Sequence, residues 1–176
     1  SSLEKNVKLN RFKNVTLVRK AVSNKTGDIK LFLSKSMGRH TIYNMQNVRK
    51  IIKIESVALD DFFKKYPKGI DFIKMDIEGA EYAALLGMPS ILKINKGVKI
   101  VTEFMPDALR SFGISPEVYL SLLMKHGFKV YHINENKKRI ETTSINKIME
   151  FCKRTKYANL LCVRKQVQWN PRSFGS

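Results

Sequence analysis

The chain has 176 residues, and its 33 Lys and Arg residues outnumber its 15 Asp and Glu residues, which gives a formal net charge of +18. This length suits one domain, and a hydrophobic content of 43% excludes disorder as a description of the whole chain. No apolar run is long enough to span a bilayer and no secretory leader is visible. Two cysteines are too few for a disulfide framework or a four-cysteine zinc site, so we expect a cytoplasmic location.

The positive charge suggests nucleic acid as a partner, because Lys and Arg side chains that contact phosphates release counterions. The alternative is a solvated basic surface that keeps the protein in solution. The basic residues are spread over both halves of the chain, and no short repeat interleaves them with aromatic residues. We therefore do not favour nucleic acid. Six of the 15 carboxylates lie within residues 60–81, and we expect some of these to be used.

The first half of the chain predicts one helix end, several strands and a short helix. Apolar residues at helical spacing in residues 3–10 indicate the end of a helix. Asp60 is predicted to cap a short helix that stops at Pro67. Strands, the second of which is typical of a hairpin, are predicted from β-branched and apolar composition at residues 15–22, 29–33 and 51–59.

The second half predicts alternating strands and helices. Residues 70–77 form a nearly continuous apolar run that ends in acids, which predicts a strand of a parallel sheet buried on both faces. A helix with Tyr82, Leu85, Leu86 and Met88 on its inner face is predicted from Ala80, with a break at Pro89. Further helices are predicted at residues 115–126 and 144–155, and further strands at residues 99–104, 128–133 and 159–164. Because ligands bind beyond the carboxyl ends of such strands, the acids there are candidate site residues.

One segment carries a recognisable signature. Residues 70–81, Ile-Asp-Phe-Ile-Lys-Met-Asp-Ile-Glu-Gly-Ala-Glu, resemble the signature of the FkbM family of S-adenosylmethionine-dependent methyltransferases. Shorter segments resemble other parts of that family and follow in the same order, at residues 21–27, 56–62, 101–106, 127–128 and 159–163. The resemblance implies a Rossmann-like α/β fold of the class I methyltransferases: a mostly parallel sheet with an antiparallel closing strand and a β-hairpin insertion. It places the domain at residues 1–165 and a tail at 166–176.

The sequence departs from the family at its start. The family's domain begins with a strand and a glycine-rich turn that hold the cofactor, followed by a second strand ending in an acid. No Gly-x-Gly occurs in this chain. We therefore expect a partial domain that lacks its first two strands, has two unpaired inner strand edges, and binds S-adenosylmethionine weakly by itself.

The carboxylates are the candidate catalytic residues. Methyl transfer to a hydroxyl requires alignment of donor and acceptor and a base that removes the hydroxyl proton. We predict that Asp76 faces the junction of cofactor and acceptor, that Glu78 orients the acceptor or acts as the base, and that Glu103 contributes to the acceptor site. In the alternative interpretation Asp76 is a helix N-cap, and Glu78 and Glu81 are first-turn acids favoured by the helix dipole.

Other candidates bind the cofactor or the acceptor. Gly79 permits close approach of the backbone or is a plain turn glycine. By resemblance Ala21, Val22 and Ser23 lie beside the adenine, the alternative being the end of a core strand. His40 is a candidate substrate contact in a loop, where a histidine can equally well be simply exposed.

No metal site is predicted. His126 and His132 lack ligand partners at metal spacing, and nothing requires Mg²⁺ at the carboxylates. Cys152 and Cys162 are interpreted as core residues.

The sequence therefore predicts an S-adenosylmethionine-dependent O-methyltransferase that acts on a hydroxyl of a sugar, a lipid or a secondary metabolite. The expected partner is a small-molecule or glycan acceptor. The alternatives are a basic protein that binds or modifies nucleic acid and a non-catalytic, methyltransferase-like fragment. The Pro-Pro-aromatic motif common in amino-methylating enzymes is absent.

Overall fold

The computed structural model of the chain describes residues 1–34, 42, 48–65 and 69–164. The elements in chain order are α1 (Ser2–Leu9), β1 (Ala21–Val22), β2 (Gly27–Ser34), β3 (Val48–Val57), α2 (Leu59–Phe63), β4 (Phe72–Met75), α3 (Glu81–Leu86), α4 (Pro89–Ile94), β5 (Lys99–Phe104), α5 (Pro106–Ser111), α6 (Pro116–Lys125), β6 (Phe128–Asn134), β7 (Arg139–Thr142), α7 (Ile145–Thr155) and β8 (Ala158–Arg164). Among these helices, none combines the length and apolar composition needed to cross a bilayer. The predicted tail at 166–176 lies outside the described residues.

The larger sheet has five strands in the order β4-β5-β8-β6-β7. β4 and β5 are parallel, whereas β8 is antiparallel to both of its neighbours and β7 is antiparallel to β6. The antiparallel closing strand is confirmed. The prediction of a mostly parallel sheet is corrected to a mixed sheet, because β8 enters between β5 and β6 and replaces one parallel pairing with two antiparallel ones. β4, β5 and β6 nevertheless run in the same direction, so their carboxyl ends lie at one edge of the sheet.

The core of the domain packs on one face of this sheet. β5 alternates strictly, with Ile100, Thr102 and Phe104 buried and the residues between them partly exposed. Tyr119 of α6 is fully buried, stacks on Phe104 at a ring-centroid distance of 6.1 Å and shares a 2.7 Å hydrogen bond with Thr102. Each large apolar side chain buried in this way contributes roughly 2 kcal/mol. The strands and helices of the second half therefore share a main core on this face, and a smaller separate cluster contains Tyr131, Leu161 and Val163.

The smaller sheet has the order β1-β3-β2 and is much less buried. β2 and β3 pair antiparallel, which confirms the predicted hairpin. Ser56 and Val57, at the end of β3, are its buried positions. Only the last two residues of the strand predicted at 15–22 are paired, and Val15 and Val18 are exposed.

Among the described strands, β1 and β4 each end a sheet and have a neighbour on one side only, which is β3 for β1 and β5 for β4. Phe72 of β4 is 55% exposed and Lys74 is exposed as well, so the prediction of a strand buried on both faces is wrong. The physical reason is that β4 ends the sheet.

Several local predictions are corrected by tertiary contacts. Ala58, which has no side-chain capping bond, precedes α2. Asp60 instead caps α4, since its two carboxylate oxygens accept hydrogen bonds from the backbone N–H groups of Ser90 (2.8 Å) and Ile91 (2.9 Å). Leu86 is 43% exposed rather than inward-facing. The short elements α5 and β7 were not predicted, because neither is long enough to show a period.

Candidate active site

Four carboxylates meet at the carboxyl edge of the larger sheet. Asp76 follows β4, Glu78 lies in the next turn, Glu81 opens α3, and Glu103 is the penultimate residue of β5. The parallel register pairs Met75 with Thr102, which brings the residues that follow them side by side. The charges of Asp76, Glu78 and Glu81 all act on Glu103 and raise its pKa. We call these four residues the acidic cluster.

Glu81 is the buried member of the acidic cluster, with 3% of its surface exposed. Its Oε1 accepts a 2.9 Å hydrogen bond from the backbone N–H of Ile77, and the carboxylate also accepts from the backbone of Gly79. Burial raises the pKa of Glu81 more than these hydrogen bonds lower it. Glu81 thus stabilises the turn between β4 and α3 through these backbone hydrogen bonds.

The turn itself has an unusual backbone. Glu78 and Gly79 both have positive φ angles, 55° and 91°. A Cβ atom at position 79 would overlap Cε2 of Phe112 and lie 3.5 Å from Cβ of Ala108. Two features therefore require glycine at position 79. One is the left-handed backbone conformation, and the other is the close packing of Ala108 and Phe112 against the turn. A left-handed non-glycine residue at such a position is a feature of functional turns, and here it is Glu78.

Asp76 is available for chemistry. Its carboxylate is half-exposed and forms an exposed 2.9 Å ion pair with Lys74, a type of contact that contributes little to stability. Ala80 precedes α3 and no side chain caps that helix, so the N-cap interpretation of Asp76 is wrong. Glu81 does lie in the first turn of α3, as the alternative proposed.

Glu103 has the properties of a base. Its side chain is half-buried, and burial is the largest cause that raises its pKa, followed by the charges of Asp76 and Glu78. A carboxylate whose pKa is raised accepts a proton more readily than an ordinary exposed glutamate does.

A polar cavity of about 280 Å³ lies where β6 ends and β8 begins, and Glu103 is not among its lining residues. Asn159, which faces Glu103 in the β5–β8 register, lines this cavity and donates a 2.8 Å hydrogen bond to Glu135. His132 lines it too, packed 4.3 Å from the ring of Phe151, and burial lowers the pKa of the imidazole. The lowered pKa favours the neutral imidazole.

This polar cavity was not predicted from the sequence, where His132 was considered only as a metal ligand. The available signal was the polar run Asn-Glu-Asn at residues 134–136, directly after the carboxyl end of a predicted strand. That signal could not show that β8 would bring Asn159 to the same place.

Comparison with protein families decides the identity of the domain. The family model described as the methyltransferase FkbM domain matches residues 3–130. The chain belongs to the FkbM methyltransferase family. The family predicted from residues 70–81 is thus confirmed, and the matched region contains the whole acidic cluster. Searches of curated proteins and of solved structures return no significant match.

Methyltransferases of the FkbM family normally use S-adenosylmethionine. The donor set at the carboxyl edge fits the cationic end of that cofactor, because Asp76 and Glu103 are accessible carboxylates in a chain that is otherwise strongly basic. Favourable charge alone does not position the adenine, for which the residues around β1 were the predicted contacts.

The role of these residues as adenine contacts stays a prediction, and the structure gives only the packing of β1 and Ser23. Ser23 is buried, and its backbone N–H donates to the carbonyl oxygen of Val57 at 3.1 Å. Its own carbonyl oxygen occupies the space that a Cβ atom on Gly87 would need, and α3 separates Gly87 from Gly79. Val22 packs against the main core and Ala21 pairs with Ser56, so the structure brings this group to the far end of α3.

The other predictions concern His40, metal ligands and the two cysteines. His40 lies outside the described residues. No group of three or more His, Cys, Asp or Glu side chains in the described ranges is arranged to hold a metal ion. Cys152 and Cys162 are free, buried thiols, as predicted for core residues, and burial raises the pKa of Cys162 to about 12.

Proposed function

We propose that the domain is an S-adenosylmethionine-dependent O-methyltransferase and that the acidic cluster is its catalytic site. The observation that carries the proposal is Glu103, a half-buried carboxylate with a raised pKa that lies beside the acids that follow β4 and pairs in the sheet register with Asn159, a lining residue of the polar cavity. A hydroxyl acceptor must lose its proton as the new C–O bond forms, and Glu103 is suited to receive that proton.

Each member of the cluster has a distinct role in this proposal. When bound, S-adenosylmethionine supplies an electrophilic methyl group on a positively charged sulfur. Asp76 and Glu78 favour positive charge at the carboxyl end of β4 and orient the reacting groups in line. Glu81 acts through the turn that it holds and is a positioning residue. Glu103 takes the hydroxyl proton as the acceptor oxygen forms its bond to the methyl carbon and the sulfur–carbon bond breaks.

The polar cavity supports a hydroxylated acceptor. Its amide and imidazole groups are uncharged hydrogen-bonding partners, and Glu135 adds an acceptor for hydroxyl protons. The volume of about 280 Å³ is near the lower limit, about 300 Å³, of typical ligand pockets. We infer that the cavity binds one part of a sugar, a hydroxylated lipid headgroup or a secondary metabolite.

Methyl transfer in the full-length protein tests the proposal. Incorporation of labelled methyl groups from S-adenosylmethionine into glycan, lipid and metabolite fractions is compared among wild type, Glu103→Gln and Asp76→Asn. We expect Glu103→Gln to lower kcat by a factor of about 10² to 10⁴, the usual contribution of a general base. Asp76→Asn should lower kcat as well, because it removes a charge that orients and favours the cationic donor.

Glu55→Gln is the matched control, since Glu55 is an exposed acid of the smaller sheet that pairs with Lys20. Its kcat should equal that of the wild type. Thermal denaturation shows whether the variants are folded. A folded Glu103→Gln variant with wild-type kcat would remove Glu103 from the mechanism. No transfer by the wild type to any fraction would favour the non-catalytic alternative.

A further inference from the structure

A second cavity, of about 700 Å³, lies at the opposite edge of the larger sheet. It is formed where β6 begins and β8 ends, and Phe128 and Arg164 face each other there in the sheet register. Its basic side chains are Lys93, Lys96, Lys129 and Arg164, and no acidic side chain is found among its described lining residues. We call this the cationic cavity.

The three lysines of the cationic cavity are available to a ligand. All three are exposed, and none forms an ion pair with any carboxylate in the described part of the chain. Lys129 lies 5.1 Å from the ring centroid of Tyr131, a contact that leaves its charge uncompensated. Burial and then the charges of Arg164 and Lys125 lower the pKa of the nearby His126, in agreement with a positive potential at this edge.

Arg164, unlike the lysines, is engaged in hydrogen bonds with the backbone. Its guanidinium donates to the carbonyl oxygens of Leu92 (2.5 Å), Asn95 (3.0 Å) and His126 (3.0 Å), which lie at the carboxyl ends of α4 and α6. It therefore caps two helices at once and fixes the wall of the cavity. The lysines are free to bind because Arg164 satisfies these carbonyl groups.

Apolar side chains accompany the lysines. Ile94, between Lys93 and Lys96 in the sequence, is 76% exposed, and Met124 on the cavity wall is 43% exposed. Exposed apolar residues next to basic ones are typical of surfaces that lie on anionic bilayers, where the apolar groups enter the headgroup region. Met124 lines the cationic cavity itself, whereas Ile94 lies beside it, at the carboxyl end of α4, and lines a neighbouring cavity that also contains Asp60 and Asp61.

The same features argue against nucleic acid at this edge. Binding of single strands uses aromatic rings on which bases stack. The ring of Phe128 is covered by Arg164, whose guanidinium carbon lies 4.7 Å from the ring centroid. Exposed Ile and Met side chains contribute nothing to phosphate contacts.

We propose that the cationic cavity and Ile94 form a docking surface for a bilayer that contains anionic phospholipids. The lysines contact lipid phosphates, while Ile94 and Met124 enter the interface. β6 is seven residues long, so the acidic cluster is held roughly 20 Å from the bilayer surface. Docking thus concentrates the enzyme at a membrane without occluding the carboxyl edge.

Cosedimentation with vesicles tests this inference independently of methyl transfer. The full-length protein is mixed with vesicles of phosphatidylcholine alone or with added phosphatidylglycerol, at about 0.1 M salt, where surface charges are screened beyond about 10 Å. We expect binding that depends on phosphatidylglycerol. The triple variant Lys93→Gln, Lys96→Gln, Lys129→Gln should weaken it about 100-fold, since each lysine near an anionic surface contributes about 1 kcal/mol.

The matched control removes the same charge elsewhere. Lys5, Lys13 and Lys30 are exposed lysines on α1, on the segment that follows it and on β2, and their triple Gln variant should bind like the wild type. Ile94→Asn should weaken binding about 10-fold, whereas Val118→Asn, at a position 47% exposed on α6, should not.

Four results would overturn the proposal: no vesicle binding by the wild type, equal loss in the two triple variants, displacement from vesicles by millimolar glycerol phosphate, or a duplex DNA gel shift that the cationic-cavity variant alone abolishes. Glycerol phosphate displacement would indicate a site for a small soluble anion, and the gel shift would indicate a nucleic acid surface.

Discussion

The two edges of the five-stranded sheet differ in the sign of their charge and in the interactions that stabilise them. At the carboxyl edge, burial and then the charges of Asp76, Glu78 and Glu81 raise the pKa of Glu103, and at the amino edge, burial and then the charges of Arg164 and Lys125 lower the pKa of His126. The carboxyl edge uses a strained turn and a buried glutamate, whereas the amino edge uses one arginine that satisfies three carbonyl groups.

This difference teaches how a net charge of +18 should be interpreted. Averaged over the chain, the charge suggests one basic surface. Resolved along the sheet, it separates a group of carboxylates at the carboxyl edge from a group of lysines at the amino edge. The separation is stable because roughly 20 Å, the length of β6, is about twice the screening length at 0.1 M salt.

The largest loss of stability is expected from a substitution at the amino edge. Arg164→Met removes a charged donor from three carbonyl groups, and we expect it to lower the free energy of unfolding by about 3 kcal/mol. For a domain of this size the melting temperature should fall by roughly 10 °C in differential scanning calorimetry. Arg154→Met, on the exposed end of α7, is the control and should change the free energy of unfolding by less than about 0.5 kcal/mol. Equal melting temperatures would show that Arg164 is not an anchor.

A smaller loss of stability is expected from a substitution in the turn at the carboxyl edge. Gly79→Ala strains a backbone with φ of 91° and places Cβ against Phe112, so we expect a cost of about 2 kcal/mol in denaturant unfolding. Gly97→Ala is the matched control, since a Cβ atom added there would have no neighbouring atom within 4 Å and the φ of Gly97 is not positive. If both variants unfold at the same denaturant concentration, the turn is not sterically constrained.

The smallest expected effect is a shift in the pH dependence of kcat, which depends on the charges at the carboxyl edge. Glu103 must be deprotonated to act as a base, so the rate rises as pH passes through its pKa, which lies above the usual value of a glutamate. Asp76→Asn removes one of the negative charges that raise this pKa. The acid limb of the kcat profile, measured on the residual activity, should therefore move to lower pH. An unmoved limb would mean that another group controls it.

Much of the fold could be predicted because it depends on local pattern. β5 begins and ends at the predicted residues, and α7 lies within one residue of its predicted bounds. The family signature lies in one continuous segment and could be recognised without knowledge of the fold. Asp76, Glu78 and Glu103 were predicted as site residues because each is at or next to the end of a strand.

Other features could not be predicted because they join residues far apart in the chain. Asp60 was predicted to cap the short helix that follows it, but it caps the N-terminus of α4, some 30 residues away. Glu81 was considered only as a first-turn acid, since burial by surrounding elements leaves no trace in its own segment. The place of Ser23 against Gly87 likewise depends on how the smaller sheet packs on α3.

The sequence by itself determined the family, most helices and strands, and the identity of the carboxylates at the strand ends, because hydrophobic period and motif are local properties of a chain. Only the tertiary structure decided that β8 enters between β5 and β6, because sheet order is set by long-range pairing. That single insertion places Asn159 opposite Glu103 at one edge and Arg164 opposite Phe128 at the other, and so it creates both the polar cavity and the cationic cavity.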